Sequence, residues 1–134
     1  MPLIDFSKDP RANVKGIRKR TLRMILAASK SQYPEEFGAL LRVEEGVISE
    51  LVLLPGTVSG ERHAIFQFHN MPIDFTIVGT VHSHPSGSCH PSQADLDLFR
   101  RFGWMHIITC MPYDRHSWAV YSGTGAPMEL EVVD

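Results

Sequence analysis

His82-Ser83-His84-Pro85, followed by Ser92 and Asp95, places two imidazoles, a hydroxyl and a carboxylate within fourteen residues. Residues two apart on an extended strand share a face, so His82 and His84 can present nitrogens to one ion while Ser83 turns away. Asp95 completes a His/His/Asp set, the three protein ligands of a catalytic zinc that keeps a fourth position for water. Such a metal brings the pKa of water from about 15.7 to about 7 and polarises a carbonyl. The chemistry still needs a proton acceptor. Glu35-Glu36 directly precedes the apolar run Phe37-Gly38-Ala39-Leu40-Leu41 and so stands at the mouth of a sheet. Glu36 is the leading candidate for general base, although spacing alone does not choose between the two. Ser92 has two tasks open to it: as a helix cap it accepts a backbone N–H, and as a site residue it donates to the oxyanion of a tetrahedral intermediate.

The elements that must hold these residues follow from local pattern. Pro85 stops an interior strand, and Pro-Ser-Gly-Ser-Cys-His-Pro is a loop composition. Ser92 then starts a helix running to Phe102, with Asp95 three residues inside. Upstream, residues to about Asn13 form an irregular leader. Apolar spacing from Val14 through Ile17, Leu22, Ile25 and Ala28 predicts an amphipathic helix ending before Pro34. Strands are expected at Phe37–Val43, Ile48–Leu54, His63–Phe68, Phe75–His84, Trp104–Cys110, Ser117–Tyr121 and Met128–Val133. Helix, four strands, helix and three strands predict an α/β domain, a mixed sheet with helices on its faces. Residues 14–134 are expected to form one domain.

At 134 residues and 43% hydrophobic, the chain is large enough for a core without staples. A net charge of -2 gives no electrostatic reason to expect nucleic acid as a partner. No apolar run approaches the roughly 20 residues of a membrane span, and no signal-peptide pattern opens the chain, so a soluble cytoplasmic protein without a membrane partner is expected. Lys15, Arg18, Lys19, Arg20 and Arg23 crowd the early helix. A solvated helix face is the plain reading, and an anionic partner or membrane surface the sharper one. Cys89 and Cys110 are the only cysteines. A bridge between them would brace the loop between the ligands, but in a reducing cytosol two free thiols are the expectation.

Glu, then His-x-His-Pro, six residues, Ser, two residues and Asp is the signature of the JAMM/MPN+ zinc metalloproteases, and this chain resembles that family at Glu36, His82, His84, Pro85, Ser92 and Asp95. The likeness runs over residues 15 to 133 and is greatest to short, single-domain archaeal members. It implies a cytidine-deaminase-like layered fold, zinc on His82, His84 and Asp95, Glu36 as base, and Ser92 steadying the intermediate. It further implies hydrolysis of the isopeptide or peptide bond after the Gly-Gly tail of ubiquitin-like or sulfur-carrier proteins. Such a tail would lie extended and add to a sheet edge, for which His63 to His69 is the candidate.

Rival readings have less behind them. A zinc nucleoside deaminase needs His-x-Glu and Pro-Cys-x-x-Cys, and neither is present. A cysteine hydrolase built on Cys89 with His90 or His106 lacks an orienting third group, and His90 as an alternative metal ligand is more simply an exposed loop residue. Metal-free relatives of the family serve as interaction scaffolds, and a non-catalytic metal-binding domain is the alternative function. DNA-repair-associated relatives carry an extra helical segment not seen in this sequence. Whether the protein is a monomer or homodimer is open.

Overall fold

The computed structural model describes residues 10–53, 74–102 and 104–134. Eight strands are found among them: β1 (Gly16–Arg18), β2 (Gly38–Glu44), β3 (Val47–Val52), β4 (Ile77–Ser83), β5 (Met105–Thr109), β6 (Trp118–Ser122), β7 (Pro127–Met128) and β8 (Glu131–Val133). Two helices accompany them, α1 (Lys19–Gln32) and α2 (Gln93–Phe102). The strands form one mixed sheet in the order β7-β6-β5-β4-β2-β3-β1-β8. Strand β4 runs parallel to β5 and antiparallel to β2, so the strand carrying His82 is central.

β7 and β8 lie at opposite ends of that order, yet only Glu129 and Leu130 separate them in sequence. Three residue steps reach about 11 Å, whereas eight flat strands would span roughly 33 Å. The sheet therefore curls until its margins approach each other. Helix α1 fills the curl: Leu22, Ile25 and Leu26 share one apolar cluster with Ile17 of β1, Leu41 of β2, Ile48 of β3, Val81 of β4, Ile107 of β5 and Val120 of β6. Helix α2 covers the other face through Leu98 and Phe99, packed with Leu40, Ile108 and Tyr121. Both faces are thus covered at β2, where Leu40 joins one cluster while Ala39 and Leu41 join the other.

Two expectations are corrected. The 3.6-residue spacing from Val14 predicts helix, but residues 16–18 pair in parallel with both β3 and β8, and the helix starts only at Lys19. Sheet pairing outcompetes local periodicity there, and Pro10–Asn13 ahead of it is a short 3₁₀ turn. Met128–Val133 is likewise not one strand, because it divides at Glu129–Leu130 between the two sheet margins. The expected strand His63–Phe68 lies outside the described residues. Elsewhere the turn chemistry matches the sequence: Glu45 and Gly46, with φ of 51° and 79°, make the two-residue link between β2 and β3 that favours positive φ at both positions.

Candidate metal centre

His82 is the penultimate residue of β4 and His84 follows the strand by one residue, so the period of two sets both on the α2 face while Ser83 points to the α1 face. Ser83 ties the site to β2. Its hydroxyl accepts the Phe37 N–H at 2.8 Å and its own N–H donates to the Phe37 carbonyl at 2.9 Å, with Gly38 opposite His82 in the ladder. The continuation of that register brings Glu36 beside His84. The Glu36 carboxylate is half-buried, and its charge favours the protonated form of His84. Glu35, by contrast, is exposed.

Asp95 arrives from α2. Ser92 and Asp95 cap the helix reciprocally: the Asp95 N–H donates to Ser92 Oγ at 3.1 Å, and the Ser92 N–H donates to Asp95 Oδ2 at 2.8 Å. That cap aims the carboxylate, which is 1% exposed, at both imidazoles. Asp95 Oδ1 lies 2.9 Å from His82 Nε2, and Oδ2 lies 2.9 Å from His84 Nε2. One ligand atom from each of His82, His84 and Asp95 falls within 4.8 Å of the others. Burial alone would raise the Asp95 pKa, but the two histidines and the Ser92 N–H more than offset it and hold the carboxyl far below the usual range. Burial pulls His84 down; the Asp95 and Ser88 hydrogen bonds and the Asp95 and Glu36 charges outweigh it and leave its pKa raised.

The donors suit a metal. The His84 Nδ1–H donates to the Ser88 carbonyl at 3.0 Å, which leaves Nε2 as the ligating nitrogen. Buried His82 has neither ring nitrogen in a well-aligned hydrogen bond, although its Nε2 is close enough to Asp95 for their charges to couple. A buried imidazole without well-made hydrogen bonds is costly, and an ion held by the three residues would give one of its two nitrogens a partner. Two nitrogens and one carboxylate oxygen are a donor set that suits zinc.

The loop between the ligands is anchored at several points, most of them invisible in the sequence. Cys89 and Cys110 form a disulfide, with Cα atoms 5.3 Å apart. The expectation of free thiols is therefore corrected, and a Cys89 nucleophile is ruled out with it. The parallel pairing of β4 with β5 is what sets Cys110 beside the loop. Tyr113 Oη donates to the His84 carbonyl at 2.7 Å, Tyr121 Oη to the Cys89 carbonyl at 2.8 Å, and the Met111 N–H to the Ser86 carbonyl at 2.8 Å. Neither tyrosine carries a sequence signal for this, since each acts through a fold-dependent contact about thirty residues away. His90 is exposed and outside the ligand group. His106 is core: its Nδ1 lies 2.7 Å from Thr80 Oγ1, its ring stacks on Phe99, and burial, followed by the His82 charge, pushes its pKa down to about 3.

Residues 18–121 match the model of the prokaryotic homologs of the JAB domain, and the chain belongs to that family. It is 37% identical over 131 residues to a Haloferax volcanii protein described as "Probable metalloprotease", covering 90% of this chain and 81% of that one. A JAB1/MPN domain protein from Archaeoglobus fulgidus superposes with a TM-score of 0.72 at 43% identity, over 90% of this chain and 97% of that one. A structure described as JAMM, a metalloprotease-like zinc site in the proteasome and signalosome, gives 0.72 at 44% identity, over 90% and 99%. The mixed curled sheet with two helices is the α/β fold of these JAB1/MPN domains. Among the described residues no helix is long and apolar enough to cross a membrane.

Proposed function

We propose that the protein is a zinc metalloprotease that hydrolyses the bond after the Gly-Gly tail of a ubiquitin-like or sulfur-carrier protein, as an isopeptidase or a peptidase. The observation that carries the reading is the convergence of His82, His84 and Asp95 within 4.8 Å, with His84 held in the ligating tautomer by Ser88. The family and the relative described as a metalloprotease support it.

His82, His84 and Asp95 would hold the zinc, which when bound supplies Lewis-acid polarisation and a water that ionises near neutral pH. Glu36 takes the proton of the attacking water and returns it to the leaving amine. Ser92 serves both of its tasks: its oxygen accepts the Asp95 N–H, while its O–H remains a donor for the substrate oxyanion. Helix α2 begins at the same place and adds positive partial charge there.

The test combines metal analysis with cleavage of a Gly-Gly-linked modifier fusion and of an isopeptide conjugate. Glu36→Gln should retain one zinc and lose at least about 10²-fold in turnover, whereas His84→Ala should lose the metal. Wild-type turnover in the glutamine variant would remove the base assignment. A zinc-loaded protein that cleaves neither substrate would leave the scaffold reading in its place.

A further inference from the structure

The basic residues at the start of α1 play no part in the metal centre. Helix α1 carries no acidic residue in its first turn, and its N-cap, Arg18, makes no side-chain cap hydrogen bond. The amides of Lys19, Arg20 and Thr21 therefore lack a capping side chain at the positive end of the helix dipole. Lys19, Arg20 and Arg23 add cations at that end, where the dipole disfavours them, and among the described residues none of the three takes part in an ion pair. Lys19 and Arg23, and Arg20 and Arg23, are also like-charged neighbours at helical spacing. An arrangement unfavourable to the empty helix is favourable to a bound anion.

A second observation points to the same place. Arg18, Lys19, Arg20 and Arg23 line an open cleft of about 400 Å³ together with Glu44, Ser49 and Asp134. Ser49 is 8% exposed, and its hydroxyl is buried without a hydrogen-bond partner. The Ser49 carbonyl is engaged, accepting Thr21 Oγ1 at 2.8 Å, so the helix start is pinned to β3 while the neighbouring hydroxyl goes unused. Such a group needs a partner.

We infer that the cleft formed by Arg18, Lys19, Arg20, Arg23 and Ser49 is a binding site for a phosphate oxyanion. The four cations outnumber the acidic residues of the cleft, Glu44 and Asp134, so its field favours an oxyanion. Arginine forks fit phosphate oxygens in pairs; Arg18 is partly committed, donating from Nη1 to the Asp134 main-chain oxygen at 2.8 Å, while Arg20 and Arg23 are exposed. The site is separate from the metal centre. It is the C-terminal half of α1 that reaches the strands beside the metal, through the 2.8 Å hydrogen bond between Ser29 Oγ and Thr109 Oγ1, and the helix is roughly 20 Å long.

The experiment titrates the zinc-loaded, isotope-labelled protein with inorganic phosphate and, separately, with glycerol phosphate, using sodium chloride at matched ionic strength as the blank. Amide resonances locate the binding. Saturable shifts at Lys19 to Arg23 and at Ser49, absent with chloride, are expected. The Arg20→Gln/Arg23→Gln variant should lose about tenfold or more in affinity while keeping its zinc, and Ser49→Ala should weaken binding without unfolding. Tighter binding of glycerol phosphate would assign the site to a phosphomonoester, and tighter binding of inorganic phosphate to the free ion. Shifts reproduced by chloride, saturation confined to His82, His84 and Asp95, or undiminished affinity in either variant would overturn the inference.

Discussion

The proposed function gives single side chains at the candidate metal centre two roles each, and measurement can separate them. Ser92→Ala removes the helix cap together with the oxyanion donor that the proposal assigns to it. Its cost should be about 1 kcal/mol in stability together with about 10²-fold in kcat. A variant that loses stability alone would reduce Ser92 to a cap. His84 gives a pH dependence whose sign depends on the metal. In the metal-free protein its raised pKa contributes stability fully present below pH 6.5 and lost as pH rises through the folded value. Zinc needs the neutral imidazole, so zinc affinity runs the other way and should fall as pH drops through that same value, above 6.5. Competition with a chelator between about pH 8 and pH 6 measures it, and a flat profile would contradict the assignment of His84 as a ligand.

At the scale of elements, the segment from His84 to Asp95 behaves as one braced unit. The disulfide closes a loop with a sequence separation of 21, for which chain entropy predicts about 3 kcal/mol of stabilisation. A Cys89→Ser/Cys110→Ser variant should unfold at correspondingly lower denaturant concentration, and its zinc affinity should fall as well, since Ser88, which orients His84, adjoins the released Cys89. Equal zinc affinity would show that the tyrosine and backbone anchors suffice. The meeting of His82, His84 and Asp95 was legible in the sequence because strand alternation, a proline stop and a capping box are short-range rules. Tyr113, Tyr121 and the disulfide were not legible in the same way, because each depends on β5 pairing beside β4. Ile17 shows the opposite failure, with helical spacing overridden by two parallel neighbours.

For the whole molecule, the close approach of β4 to β5 is fixed by Gly79, where an added Cβ would collide with the Met105 carbonyl. Gly79→Ala should therefore push apart the two strands that carry the site's framework, lowering stability by several kcal/mol and zinc content with it. A circular dichroism melt and metal analysis would check both effects; an unchanged melt would mean that β5 can give way. The sheet's curl was not foreseeable from the sequence, since it rests on the division of Met128–Val133 between two distant margins. It also constrains the order of assembly. Gly16–Arg18 acquires its outer neighbour only from Glu131–Val133, so during synthesis β1 must wait, its outer edge unpaired, until residues 131–133 have been made and released to fold. Contacts so far apart in sequence slow folding, and an open strand edge recruits other chains. A chain that stops before residue 131 leaves that edge of β1 open to misassembly.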